Sequence, residues 1–347
     1  MMEFMLKYSL YGIPAYQQQP IEGKQMMFLK MTFSVLFFFV LNSAVFGSDT
    51  ASKKLAYLVS DTSIPFWQIM ARGVRHGAQN LGYDVTVYNA ANSAKAELES
   101  TVKAIKENVA GIIVSPTNSS RCVTILKLAK KAGIPVVISD IGTDSGEYIS
   151  YISSDNREGA YELGKLLAES MTRKSWKEGR VGIIAIPQKR LNGQQRTAGF
   201  MQALDEAGIK GADIRQQVTF SYRETYDFSK ELIAKYPDLR ALWLQGSDKY
   251  KGALDAIADT GKKGEILLIT FDAEPEFLEL IPKGVLVGAG MQQPFLMGEK
   301  AVETMDSYLK GKTVVKNQQL PVLAISKENI KAKLPTIRRN VLGIIKE

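Results

Sequence analysis

Beyond residue 52 the sequence alternates short β-rich runs with longer amphipathic ones, and this rhythm constrains the fold more than any motif. The β-rich runs occupy 55–60, 84–89, 111–115, 135–140, 148–152, 181–186, 215–220, 241–245, 266–271 and 285–291. Between them, apolar residues recur at helical spacing over 67–81, 95–107, 124–131, 157–171, 195–207 and 294–310. Several strand runs are continuously apolar, such as Ile112-Ile113-Val114 and Ile266-Leu267-Leu268-Ile269. A strand apolar on both sides is one covered on both faces, which means parallel sheets flanked by helices. Ala132-Gly133-Ile134-Pro135 and Glu206-Ala207-Gly208 supply helix stops at matching places in the two halves. The reading is α/β, with two similar doubly wound lobes whose rhythm repeats over 55–150 and 181–290.

Residues 1–47 read as an address. Lys24 and Lys30 precede a nine-residue apolar run, 33–41, and then small residues up to Gly47. This is the layout of a secretory signal peptide cleaved near Gly47, with Ala44 as the second choice. The run falls short of the roughly 20 residues that span a bilayer. Residues 1–25 fit no signal design, so an upstream extension with the true start at Met26, Met27 or Met31 is expected. The expected product is an exported, periplasmic protein, and a monomer. No cysteine follows the run, which leaves no site for lipid attachment there.

Composition narrows the chemistry. Of 347 residues, one is cysteine (Cys122) and one is histidine (His76). A disulfide within the chain is excluded, and a histidine-rich metal site or a Ser-His-Asp centre is disfavoured. Cys122 reads as packing, His76 as part of a solvated helix face. No phosphate-cradling glycine loop follows any strand, so neither cofactor nor metal is expected. The net charge of +8 admits nucleic acid as a partner, but the lysines and arginines are dispersed over helices and tail. Solvated faces explain them better.

In doubly wound sheets, ligands sit beyond the carboxyl ends of the strands. There the chain places Pro65-Phe66-Trp67, Asp140-Ile141, the stretch 187–196, Ser221-Tyr222-Arg223, Gln245 to Asp248, Asp272 and Gln292-Gln293. Aromatic rings stack on the C–H faces of sugars, while Asp, Gln and Arg bind their hydroxyls.

With these residues in place the chain resembles the periplasmic sugar-binding proteins of the ribose/galactose type, which have the type 1 periplasmic binding fold. The resemblance covers 53–325. It is carried by Tyr57-Leu58-Val59-Ser60 with Pro65-Phe66-Trp67, by the runs 111–117 and 132–137, and by Ser153-Ser154-Asp155-Asn156. Arg196 with Gly199-Phe200, and Thr270-Phe271-Asp272, complete it. It implies ligand contacts from Phe66, Trp67, Asp140, Arg196, Tyr222, Asp272 and Gln292, with Gln293 as the neighbouring option for the last. Three positions depart from the family pattern: Ile64 and Gly246 stand where it has asparagine, and Ile141 where it has arginine. A ligand that is less hydroxylated than ribose or glucose, modified, or larger is therefore expected.

The expected organisation is a signal peptide over 1–47, an N-terminal lobe from 48–154 plus 293–322, and a C-terminal lobe from 155–292 plus 323–347. Asp155-Asn156 marks a crossover and caps the next helix. The function implied is capture of a small sugar-like ligand between closing lobes for delivery to the membrane permease of an ABC importer. The alternative partner is a sensor kinase or chemoreceptor. A repressor is disfavoured because an export signal stands where a helix-turn-helix belongs. Catalysis by Asp140 and Asp272 as a glycosidase pair has no spacing argument behind it.

Overall fold

The computed structural model describes residues 53–345; the signal peptide reading lies outside them. The chain first lays down β1 (Lys54–Val59), α1 (Pro65–Leu81), β2 (Asp84–Asn89), α2 (Ala94–Lys106), β3 (Gly111–Ser115), α3 (Ser119–Lys131), β4 (Val136–Ser139) and β5 (Ser150–Ser154). It then crosses over to build α4 (Asn156–Arg173), β6 (Arg180–Ala185), α5 (Leu191–Glu206), β7 (Gly211–Gln216), α6 (Tyr222–Lys235), β8 (Leu239–Leu244), α7 (Tyr250–Asp259), β9 (Leu267–Phe271), α8 (Phe277–Leu280) and β10 (Gly288–Met291). Helix α9 (Pro294–Leu309) and β11 (Asn317–Leu320) return to the first lobe. Strand β12 (Leu323–Ser326) and α10 (Ile330–Thr336) belong with the second, and a π-helical turn, Ile337–Val341, follows.

Each lobe holds one six-stranded sheet. The orders are β11-β5-β4-β3-β1-β2 and β12-β10-β9-β8-β6-β7, so the second repeats the first strand for strand. All pairs are parallel except β10 with β12. The continuously apolar runs do what their pattern requires: every residue of β3 and β4 is buried. Apolar side chains pack on both faces of each sheet, giving two core layers per lobe. Helix starts are fixed by side-chain caps at Ser93, Asn118, Asp155 and Ser221, each accepting from a backbone N–H in the first turn.

The strand after α5 differs from expectation. It spans Gly211–Gln216 rather than 215–220, because the chain leaves the sheet after Gln216 and runs as a loop to the cap at Ser221. Two single residues also resolve. Cys122 is fully buried among the apolar residues beside β3, and burial pushes its thiol up to about 12, so it is packing. His76 is not on a solvated face. Its Nδ1 lies 2.7 Å from Glu299 Oε1 on α9, and its ring sits 5.6 Å from that of Phe295.

Candidate functional site

The two sheets point their carboxyl ends at one another, and the loops that follow the strands meet there. The cleft is lined by Ile64, Phe66, Trp67 and Asp140 from the first lobe. Ile186, Arg190, Asn192, Arg196, Gln217, Phe220, Gly246, Asp248 and Asp272 come from the second, and Gln292 from the crossover after β10. It encloses about 50 Å³.

Six of the seven side chains expected from sequence come together here. Phe66 and Trp67 open α1 with their rings edge to face, centroids 4.9 Å apart. Asp140 and Asp272 follow β4 and β9, which occupy the same position in their respective sheets. Both adopt left-handed backbone, φ 62° and 68°. Aspartate tolerates that region better than most residues, and the turn aims each carboxylate off its strand end. Arg196, on α5, is held from three sides. Its Nε donates to Asn156 Oδ1 at 2.8 Å and its Nη1 to the Gln245 carbonyl at 2.7 Å. The guanidinium stacks 4.0 Å from the Phe271 ring centroid, and Asp272 Oδ2 lies 3.7 Å from Nη1. Asn156 therefore orients a cleft arginine, beyond the helix start that Asp155 caps.

Gln292, not Gln293, faces the cleft. Its Nε2 donates to Asp272 Oδ1 at 2.5 Å. Gln293 instead ties the crossovers together, donating to the Pro321 carbonyl and accepting from Asn340.

Tyr222 is the correction. It lies in the first turn of α6, 44% exposed, with its hydroxyl donating to Asp255 Oδ2 at 2.7 Å and its ring against Tyr226. Because β7 ends at Gln216, the loop brings Phe220 to the cleft instead, at φ 53°. Arg190, Asn192, Gln217 and Asp248 also reach the cleft. Arg190 and Asn192 belong to the 187–196 stretch after β6, where only Arg196 carried a signal. Of the three departures, Ile64 and Gly246 line the cleft, whereas Ile141 is wholly buried in the first lobe's core. Arg190 supplies a second guanidinium from the same lobe as Arg196.

The electrostatics follow from enclosure. Burial pushes Asp140 up to about 6; Arg196 and Arg190 oppose this, while Asp272 adds to it. Burial also raises Asp272, against the pull of Arg196 and the hydrogen bond from Gln292. Asp140 Oδ1 and Gln292 Oε1 are buried with no hydrogen-bond partner among the described residues. Both are acceptors, so the site asks for donors. Among the described residues, no three His, Cys, Asp or Glu side chains converge as metal ligands, and no helix is long and apolar enough to cross a membrane.

Known proteins give this architecture a place. A family model, the periplasmic binding protein domain, matches residues 55–313. The ribose import binding protein of Escherichia coli (strain K12) is 28% identical over 278 residues, covering 79% of this chain and 90% of its own length. Among solved structures, a carbohydrate transporter solute binding protein from Agrobacterium radiobacter, in complex with D-arabinose, superposes with TM-score 0.76 at 23% identity, over 84% of this chain and 99% of that one. An ABC transporter periplasmic solute binding protein from Actinobacillus succinogenes, with bound D-allose, gives TM-score 0.74 at 22% identity, over 80% and 99%. The chain belongs to the periplasmic binding protein domain family, and within it to the ribose/galactose type of periplasmic sugar-binding proteins.

Proposed function

We propose that this protein captures a small sugar between its two lobes in the periplasm and delivers it to the permease of an ABC importer. The observation that carries the reading is the composition of one enclosed cleft. Stacking rings from Phe66 and Trp67 stand with Asp140, Asp272, Arg196 and Gln292, and two buried acceptors await donors. Rings bind the C–H faces of a sugar and the carboxylates bind its hydroxyls. Import, rather than signalling to a sensor kinase, follows the relatives, whose names are those of import and transport proteins. Ligand binding without catalysis is likewise what these relatives are named for.

The lobes we assign are 48–154 with 293–322, and 155–292 with 323–347. The crossovers after β5, β10 and β11 serve as hinges, and the ligand favours closure through its higher affinity for the closed form. The leader over 1–47 directs export, and the mature protein acts as a monomer.

A thermal-shift screen with pentoses, hexoses and deoxy sugars tests the reading, since a ligand that binds only the folded state raises the melting temperature. Trp67→Ala, Asp140→Ala and Asp272→Ala should each abolish the shift while keeping a cooperative melt. Retention of the shift in all three would place the site elsewhere.

A further inference from the structure

Past α10 the chain does more than finish the second lobe. Ile337, Val341 and Leu342 belong to that lobe's core, together with Ile281, Leu286 and Ile330. The polar groups around them reach back to α1 and α9 of the first lobe. Arg339 holds Glu299 with both arms, Nη1 donating to Oε2 at 2.5 Å and Nη2 to Oε1 at 2.8 Å. That carboxylate is 7% exposed, and His76 Nδ1 on α1 lies 2.7 Å from the same Oε1. Arg72 Nη2, also on α1, donates to the Leu342 carbonyl at 2.8 Å. Asn340 Nδ2 donates to Gln293 Oε1 at 2.8 Å, at the crossover itself. Gly343, at φ 62°, lies against Phe295 of α9, where a Cβ would stand 2.5 Å from the ring's Cδ2.

These contacts are made while the lobes are shut: the cleft between them encloses about 50 Å³, and Asp140 in its wall is 2% exposed. Arg339 is anchored in one lobe through Ile337 and Val341, and its partner sits on the other. Glu299 stands six residues along α9 from the crossover at Gln293, about 9 Å of helix rise. Turning one lobe against the other about the crossovers pulls or shears this pair, and a hydrogen bond tolerates little of either. It would also leave the buried Glu299 carboxylate to His76 alone, and breaking a buried ion pair is costly.

We infer that this C-terminal strap, residues 337–343, is a brake on lobe opening. Arg339 releases Glu299 when the lobes part, so part of the closure free energy is built into the chain and a ligand supplies only the remainder.

Pulsed EPR on the ligand-free protein tests it, with spin labels on Lys95→Cys in the first lobe and Arg223→Cys in the second. Both side chains are exposed, at the starts of α2 and α6. The strands before these helices, β2 and β7, are the sheet edges away from the crossovers. Cys122 is buried, so only the new thiols take label. Arg339→Ala and, separately, Asn340→Ala should move the distance distribution to longer separations. Arg339 is 43% exposed, so its loss should leave a cooperative melt, and Asn340→Ala removes a single bond should the first variant fold poorly. Arg338→Ala, which removes the exposed charge next in the chain, should leave the distribution as in the wild type. Distributions that match the wild type in both strap variants overturn the inference. An equal shift in Arg338→Ala makes the effect one of tail charge and overturns the role of the Arg339–Glu299 pair.

Discussion

Arg190, carried by the second lobe, donates through Nε to the Thr117 carbonyl of the first at 3.2 Å. Its Nη2 reaches Asn92 Oδ1, also in the first lobe, at 3.1 Å. The receiving loop is itself braced, because buried Glu97 accepts from Thr117 N at 2.7 Å and Thr117 Oγ1 at 3.0 Å. Two residues on, Asn192 Nδ2 donates to Asp140 Oδ2 at 3.4 Å. The end of the loop after β6 and the first turn of α5 therefore make direct protein bonds across the cleft, in addition to anything a ligand contributes.

Arg190→Ala should shift the ligand-free protein toward an open form. Hydrogen bonds to a charged group are worth roughly 1.5–3 kcal/mol each. Losing two should weaken ligand affinity by tenfold or more, since binding must then supply the closure free energy. Small-angle scattering of the ligand-free variant should give a larger radius of gyration than the wild type. An unchanged profile, together with unchanged affinity, would remove the latch from the account.

Asp140 sets a pH dependence whose sign can be worked out. An unfolded aspartate titrates near 3.9, whereas burial holds this one at about 6. The folded state thus binds the proton more tightly than the unfolded state. The favourable contribution is complete below about pH 4 and is lost as the pH rises through 6. A difference of two pH units corresponds to roughly 3 kcal/mol. Asp140→Asn, which mimics the protonated form and tolerates the left-handed backbone, should be more stable than wild type at pH 8 by up to about that amount. The gap should close near pH 4, as measured by urea unfolding at both values. Wild-type affinity should fall as the pH drops below 6, because a protonated Asp140 loses acceptor strength. Equal stability of the two proteins at pH 8 would contradict this.

The parts of the site legible in the sequence are those fixed to regular elements. Asp140 and Asp272 end continuously apolar runs, so each marks where its strand stops and which way the rim lies. Phe66 and Trp67 sit behind a proline that opens α1, and Gln292 stands two residues before the proline that opens α9. Arg190 and Phe220 lie in irregular loops, where no periodicity says which side chain turns inward. Val218-Thr219-Phe220 is β-prone, so the sequence pattern puts the strand before Phe220 four residues later than it stands, yet the Glu224 carboxylate accepts from the backbone N–H groups of all three and holds them outside the sheet.

That loop makes a direct comparison possible. Phe220 lines the cleft with its ring centroid 5.6 Å from the Arg190 guanidinium carbon, while Tyr222 faces Asp255 on α7. Phe220→Ala should reduce ligand affinity about tenfold, in line with the loss of one stacking ring. Tyr222→Ala should leave affinity within about twofold, because an exposed tyrosine away from the cleft contributes only to local packing. Titration of both variants with the same sugar checks the pair, and the reverse ranking would return the role to Tyr222.

The crossovers are set by helix pairs that approach unusually closely. A Cβ on Gly73 of α1 would stand 2.1 Å from the Phe295 carbonyl oxygen of α9, and one on Gly199 of α5 would stand 2.0 Å from that of Arg157 in α4. Helices α4 and α9 each begin directly after a crossover, so these two contacts fix where the chain lands as it passes between lobes. On an exposed helix, Gly→Ala would stabilise by about 1 kcal/mol through backbone entropy. Here the obstacle is backbone, which cannot rotate aside, so the helices must separate. Gly199→Ala and Gly73→Ala should therefore each destabilise the fold by about 1–3 kcal/mol or more in urea unfolding. Since α4 would be displaced from α5, Gly199→Ala should also loosen Arg196 from Asn156 and weaken ligand binding beyond the loss of folded protein. A stabilised Gly199→Ala would mean that α4 and α5 are free to move apart, and that their contact does not position the cleft.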